Sequence, residues 1–201
     1  MRIAFILLVE CFASFSLAQV MQEPRPMMYH GLVYHHRAEK APLFGGVSKH
    51  GWISDINEVW QYDWKSESWS MLGDFEAISD STVHGQSPVY HQGANRVIVF
   101  NSKGETWAYE WESRKWENRN PPVAPSPRCG HHMTYDVESE KIVLFGGFGC
   151  TSIEDPIFGD TWVYDYKLNL WSQKESLTRP PARMYGSIAY NSKADRISLW
   201  G

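Results

Sequence analysis

A tryptophan-centred segment recurs three times along the chain with a fixed internal spacing. Each copy has a tyrosine two residues after the first tryptophan, an acidic residue directly after that tyrosine, and a second tryptophan nine residues after the first. The copies are Trp60-x-Tyr62-Asp63 with Trp69, Trp107-x-Tyr109-Glu110 with Trp116, and Trp162-x-Tyr164-Asp165 with Trp171. Three copies in one register define an internal repeat, and a repeat constrains the fold before any single element is assigned.

The period of the repeat is that of a small antiparallel sheet. Tyr34, Tyr90, Tyr135 and Tyr190 are separated by 56, 45 and 55 residues, and each stands eleven residues before a position that is glycine in three of the four units. A period of this length is typical of four-stranded propeller blades.

One unit resolves into four predicted strands, which in the third unit lie at 130–135, 142–145, 161–166 and 171–173. The second of these is a continuous apolar run, as expected for a strand buried on both faces. Large rings at fixed places then pack between neighbouring sheets, so we predict that Trp60, Trp107 and Trp162 are largely buried. An ordinary antiparallel sandwich is the alternative, but it has no reason to repeat the spacing between tryptophans.

The pattern resembles the kelch repeat. The resemblance rests on the glycine pair after the second strand, on the Trp-x-Tyr-Asp of the third, on the tryptophan of the fourth, and on a Pro-Arg before the first. It covers residues 26–201 and implies an all-β fold, a kelch-type β-propeller fragment with four-stranded antiparallel blades. The glycine pairs are Gly45-Gly46 and Gly146-Gly147, and the Pro-Arg is Pro127-Arg128, relaxed to Ala182-Arg183.

The resemblance divides the chain into a short segment at 19–26 and a partial propeller at 27–201. Its blades are expected at 27–82, 83–126 and 127–181, with an incomplete fourth at 182–201. Two units depart from the pattern, because Asn101-Ser102 replaces the glycine pair in the second and Met27 stands at the arginine position of the first. We expect these two blades to be less regular at that edge.

The fourth unit ends early. Arg183 and Gly201 reproduce the eighteen-residue spacing of Arg128 and Gly146, so Gly201 takes the place of the first glycine of another pair. Propellers close with about four to eight blades. We therefore expect a truncated product, or a chain completed by a partner that supplies the missing blades, with exposed sheet faces and a tendency to associate.

The first 18 residues resemble a secretory signal peptide. They combine a basic start, an apolar stretch that Glu10 interrupts, and the small residues Ser16 and Ala18 at the −3 and −1 places of a cleavage site. A buried helix or a membrane anchor is the alternative, although the stretch is shorter than the roughly 20 residues of a bilayer span. The sequence thus predicts a secreted, extracellular mature chain without membrane insertion.

The two cysteines outside the leader are predicted to form a disulfide. Cys129 opens the first strand of the third unit, and Cys150 lies just beyond the glycine pair that closes the second. In an antiparallel hairpin these two places share one edge, so we expect Cα atoms within ~7 Å. Two unrelated buried thiols are the alternative.

Composition and motifs give little support for catalysis, metal binding or nucleic-acid binding. The net charge is −4 with scattered lysines and arginines, which argues against nucleic acid as a partner. Of the eight histidines, His30 and His131 are equivalent, but Gln86 and Gly186 hold that place in the other units, so no ring of metal ligands forms. We expect no cofactor, and we interpret the carboxylates of Glu154-Asp155 as a solvated loop.

Galactose oxidase shares the kelch-type propeller, and a secreted copper-radical oxidase is the enzymatic alternative. The resemblance implies a tyrosine–cysteine crosslink with further tyrosine and histidine ligands, and no such set is identifiable here.

Two long loops between second and third strands emerge at one end of the propeller and form the candidate binding surface. Their candidate contact residues are Lys49, His50 and Trp52 in the first loop, and Phe148, Ile153 and Phe158 in the other. The alternative is that Trp52 and Phe158 cap their blades. The prediction is non-catalytic binding of a protein or glycan through these loops, and a structural or assembly module is the remaining alternative.

Overall fold

The computed structural model describes residues 23–48, 58–74, 87–150, 152 and 154–201. The predicted leader and the loop residues Lys49, His50, Trp52 and Ile153 lie outside the described residues. Within them the chain forms sixteen strands and no helix. The strands are β1 (Met27–Met28), β2 (Gly31–Leu32), β3 (Lys40–Phe44), β4 (Val47–Ser48), β5 (Glu58–Asp63), β6 (Ser68–Asp74), β7 (Val89–His91), β8 (Arg96–Phe100), β9 (Thr106–Glu110), β10 (Lys115–Asn118), β11 (His132–Asp136), β12 (Lys141–Phe145), β13 (Thr161–Asp165), β14 (Leu170–Lys174), β15 (Ser187–Asn191) and β16 (Arg196–Trp200).

The strands form successive antiparallel sheets in chain order. Sheet 1 is β2-β3-β5-β6, sheet 2 is β7-β8-β9-β10, sheet 3 is β11-β12-β13-β14, and β15-β16 form a hairpin. The predicted strands of the third unit agree with sheet 3 to within about two residues at each end. The all-β class and the four-stranded antiparallel sheets are confirmed, and they are consistent with successive blades of a propeller fragment.

The first two sheets are less regular than the third at their inner edge. Their first strands, β2 and β7, have two and three residues, whereas β11 has five. In sheet 1 the chain also forms a separate two-residue pair, β1 with β4, and the pairing of β5 with β6 shifts between Val59 and Trp60.

The hairpin turns between first and second strands share one construction. The residue that opens each turn accepts a hydrogen bond from the backbone N–H three residues later, at 3.1 to 3.3 Å. The last turn residue adopts a left-handed conformation, with φ between 48° and 54°. The opening residues are His35, His91, Asp136 and Asn191, and the left-handed residues are Glu39, Asn95, Glu140 and Asp195. Histidine Nδ1 thus replaces the usual Asp or Asn oxygen in two of the turns.

Neighbouring sheets pack through aromatic rings. A phenylalanine on the second strand of one sheet contacts aromatic residues of the next sheet. Phe44 lies 5.7 Å from the rings of both Tyr109 and Trp116, and Phe100 lies 5.5 Å from Trp171. Edge-on contacts of this kind are the preferred geometry of aromatic pairs. These contacts fill the two buried clusters that join sheet 1 to sheet 2 and sheet 2 to sheet 3.

The first tryptophans of the three copies, all predicted to be largely buried, differ in their exposure. Trp60 is buried, but Trp107 and Trp162 are only half-buried. All three indole N–H groups donate to a carboxylate two residues earlier on the chain, at 2.8, 3.0 and 2.7 Å, so this bond does not account for the difference in exposure. The deepest aromatic of the third copy is instead Trp171, which is 1 % exposed.

The first strands of all four units face one central channel. A cavity of about 570 Å³ near the hairpin turns is lined by residues from every unit, including the four equivalent tyrosines Tyr34, Tyr90, Tyr135 and Tyr190. The sheets therefore radiate from a common axis with their first strands innermost, an arrangement consistent with part of a propeller.

Candidate functional site

The opposite end of the channel opens where the glycine pairs lie. The cavity there has a volume of about 540 Å³, and we call it the channel mouth. Its lining comes from all four units: Tyr29, Ser87, Gly130, His131, His132, Tyr185 and Gly186. Concave sites with aromatic walls and a few convergent polar groups are the usual form of ligand pockets in proteins.

Tyr29, Gly130 and Tyr185 occupy the same place in three repeat units, sixteen residues before the glycine position. All three have a left-handed backbone, with φ of 60°, 58° and 54°. Tyrosine rarely adopts this conformation, and strained residues of this kind cluster at functional sites. The strain aims both rings at the channel mouth, where their centroids lie 5.5 Å apart.

A third ring joins this aromatic wall from the loop that follows sheet 3's glycine pair. Phe148 lies 5.6 Å from Tyr185, and both rings pass over Gly130. A Cβ at Gly130 would lie 3.1 Å from the Tyr185 ring and 3.4 Å from the Phe148 ring, so glycine is needed for this close approach. Tyr29 and Tyr185 line the cavity and Phe148 packs against Tyr185, and we call these three rings the aromatic wall.

Two adjacent histidines line the cavity beside this wall. His132 Nε2 accepts the backbone N–H of Gly186 at 2.8 Å, which leaves the ring proton on Nδ1. His131 is buried against Phe100, and neither of its nitrogens has a hydrogen-bond partner among the described residues.

Both histidines are neutral at physiological pH. Burial, together with the nearby charge of Arg128, lowers the pKa of His131 to about 3. Burial, followed by the charge of Arg183, also lowers the pKa of His132. The nitrogens of His131 are buried and His132 Nε2 is already bonded, so the group the site offers is the Nδ1–H of the neutral His132, which suits hydrogen bonding to neutral hydroxyls or amides.

The predicted disulfide is at the edge of this site. Cys129 and Cys150 are at bonding distance with Cα atoms 5.6 Å apart, which agrees with the predicted hairpin geometry. The backbone of Cys129 also pairs with that of Phe148 through two hydrogen bonds of 2.8 and 2.9 Å. These links fix the start of the loop, and with it the position of Phe148 in the aromatic wall.

Phe158 is the other predicted contact residue of this loop that the structure describes. Its role is structural. Its ring lies under the Arg128 guanidinium at 4.0 Å, and Arg128 makes two hydrogen bonds to Asp160 of 2.6 and 3.0 Å. Burial opposes ionisation of Asp160, but the hydrogen bonds from Arg128 and Trp162 outweigh it, so the pKa of Asp160 is lowered. Phe158 thus covers a buried ion pair and caps its sheet.

Asp155 likewise serves the loop itself, since its carboxylate accepts the Ser152 backbone N–H at 2.9 Å.

Sequence reasoning missed an acidic residue two positions before the first tryptophan of every copy. Each of these carboxylates accepts the indole N–H of its tryptophan at 2.7 to 3.0 Å. In the first unit Met27 stands at the position of the arginine. Arg25 forms the ion pair with Glu58 there and so takes the role of that arginine. The signal was present in the sequence, because the acids Glu58, Glu105 and Asp160 stand in one register and Arg25 also follows a proline.

The site shows no metal-binding constellation within the described part of the chain, where no three His, Cys, Asp or Glu side chains converge on one point. The described residues also include no helix that is long and apolar enough to span a membrane. Neither a family model nor a curated protein matches the chain.

Proposed function

We propose that this chain is a secreted kelch-type propeller protein that binds a ligand without catalysis, and that the ligand is a glycan held at the channel mouth. The observation that carries the proposal is the wall of Tyr29, Phe148 and Tyr185 beside the neutral His131 and His132. Sugar rings present apolar C–H faces that stack on aromatic rings, and hydroxyls that exchange hydrogen bonds with neutral imidazoles.

The kelch assignment is supported by the four-stranded sheets that follow the repeat and share a channel. The secreted location is supported by the signal-like leader and by the cysteine pair, since disulfides persist mainly in oxidising compartments. The copper-oxidase alternative has less support, because Cys129 and Cys150 bond to each other and neither thiol is free to crosslink a tyrosine.

The test is a glycan-array screen of the purified protein, followed by titration of the best ligand against Tyr185→Ala. We expect this variant to lose at least about tenfold in affinity, since aromatic anchors dominate binding at such sites. Trp64→Ala is the matched control, because Trp64 is an exposed aromatic on an outer turn and its removal leaves the site intact. Equal affinity of the Tyr185 variant and the wild type would contradict the proposed site. Binding of protein ligands and of no glycan would show that the ligand is a protein.

A further inference from the structure

The segment that carries Tyr185 lies on the glycine edge of sheet 3 and is bonded to it through the backbone. Arg183 pairs with the backbone of Gly147 at 2.9 Å and with that of Phe158 at 3.2 Å. Tyr185 N–H donates to the Gly130 carbonyl at 2.9 Å. These bonds fix the chain as far as the nitrogen of Tyr185, but they do not fix the peptide that follows it.

That following peptide is held by a side chain, His132 of strand β11. Gly186 N–H donates to His132 Nε2 at 2.8 Å, across the gap between sheet 3 and the fourth unit. A Cβ at Gly186 would lie only 3.3 Å from His132 Nε2, so glycine allows the ring to come this close. The bond therefore sets the peptide plane after Tyr185, whose backbone is left-handed with φ of 54°.

The corresponding link between sheets 2 and 3 is made by a hydroxyl group. Ser87 holds the place of His132 in the second unit, and its Oγ accepts the Met133 backbone N–H at 3.0 Å. A serine hydroxyl does not titrate near neutral pH, whereas an imidazole does. Of these two links, the one made by His132 is therefore the one that a change of pH can break.

Protonation of His132 replaces the acceptor at Nε2 with a second N–H group. Two donors then face each other at the distance of a hydrogen bond, because Gly186 N–H points at the same atom. The positive charge of Arg183, which lies on the same segment as Gly186, adds repulsion between like charges. Both effects disfavour the seat of this segment on sheet 3, and with it the contact of the Tyr185 ring with Phe148.

The titratable and charged groups around His132 come from three units. They are Tyr29, Arg128, His131, Arg183 and Tyr185. Arg128 is paired with Asp160, His131 has its pKa lowered to about 3 by burial, and burial raises the pKa of Tyr185. The described lining of the channel mouth includes no carboxylate that could stabilise a charged imidazole. His132 is thus the group of this set that titrates under mildly acidic conditions.

We propose that His132 is the positioning residue of the channel mouth and makes ligand binding there depend on pH. In its neutral form it holds Tyr185 in the aromatic wall, and on protonation it releases Tyr185 and the ligand. The ligand part of this proposal rests on the proposed function, but the movement of Tyr185 does not.

The direction of the pH dependence follows from the surroundings of His132. Burial, followed by the charge of Arg183, lowers its pKa in the closed arrangement. Opening of the segment restores the ordinary pKa of about 6.5, so opening takes up a proton. The closed arrangement is therefore fully favoured above about pH 6.5 and is progressively lost as the pH falls below that value.

The movement is tested without a ligand, by NMR of the isotope-labelled full chain at about pH 7.5 and about pH 5.5, on either side of the ordinary histidine pKa. We expect a nuclear Overhauser contact between the rings of Tyr185 and Phe148 at the higher pH and its weakening at the lower. His132→Gln keeps an acceptor that does not titrate, so it should retain the contact at both pH values. His36→Gln is the matched control, because it removes an exposed histidine at the opposite end of the channel, and it should behave as the wild type. No difference between the two pH values in the wild type, or an equal weakening in His132→Gln, would overturn the proposal.

Binding is then measured on a printed array of neutral glycans, with the same three proteins at the same two pH values. The wild type and His36→Gln should bind up to about tenfold more weakly at the lower pH, the factor that linkage to a group of ordinary histidine pKa allows over this range. His132→Gln should bind equally at both, and a loss equal to that of the wild type would overturn the proposal. An array that stays blank at both pH values contradicts the proposed function alone, and the ring contact then decides the proposal for His132.

Discussion

At the scale of single residues, the aromatic set divides into rings that hold the core and rings that face a polar edge. Trp171 is buried between sheets 2 and 3, and its indole N–H donates to the buried hydroxyl of Thr106 at 2.9 Å. Trp162 is half-buried and bonds Asp160 instead. Two tryptophans of one repeat motif thus contribute differently to stability.

We expect Trp171→Ala to lower the free energy of unfolding by roughly 3–5 kcal/mol, the range for truncating a large aromatic in a core. Trp162→Ala serves as the comparison and should cost less, because part of its ring is already in contact with water. Urea titrations followed by circular dichroism give both values. A larger loss for Trp162 than for Trp171 would contradict this division of the motif.

The repeat made most residue roles readable from the sequence, but not those that depend on contacts between units. The placement of Tyr164 and Trp171 on the third and fourth strands follows from their fixed spacing, but their burial does not, since the equivalent Tyr62 and Trp69 are only partly buried. The convergence of Tyr29 and Tyr185 does not, because it depends on how far each sheet rotates about the channel. The exposure of Trp162 does not follow from its motif, because Trp60 makes the same bond to a carboxylate two residues earlier and is only 5 % exposed.

At the scale of elements, the hairpin turns link the fold to pH. His35 and His91 open two of the turns, and each Nδ1 accepts a backbone N–H at 3.1 Å. Burial lowers the pKa of both side chains. Protonation would remove the acceptor lone pair as well as place a charge among aromatic rings, so the folded state requires neutral imidazoles here.

Stability should therefore fall as the pH drops below about 6.5, the ordinary histidine pKa, since the unfolded chain takes up protons that the folded chain does not. His131 alone, with its pKa lowered to about 3, should account for a loss on the order of 2 kcal/mol at about pH 5.

The measurement is the urea midpoint at several pH values. The double variant His35→Asn with His91→Asn keeps a turn acceptor, as Asn191 does in the fourth unit, and should reduce the pH dependence to the part that His131 contributes. An unchanged pH dependence in this variant would show that the turns do not carry the effect.

At the scale of the whole molecule, the sheets follow one another in chain order and their first strands line one channel. Between the sheets the aromatic contacts repeat, and across the channel the first and fourth units meet through Tyr29 and Tyr185. The order of strands and sheets was predictable because every sheet is local in sequence. The channel mouth was not, because its lining comes from residues of all four units.

The central claim is that the first and fourth units converge on one channel mouth, and chemical crosslinking tests it most directly. In a Cys11→Ser background, Tyr29→Cys and Tyr185→Cys are combined and treated with a short bismaleimide, and crosslinked peptides are identified by mass spectrometry. The account predicts an intramolecular link between positions 29 and 185, and none when Leu177→Cys, which lies on an exposed segment, replaces the second substitution. Full labelling of both thiols without an intramolecular link between them would contradict it.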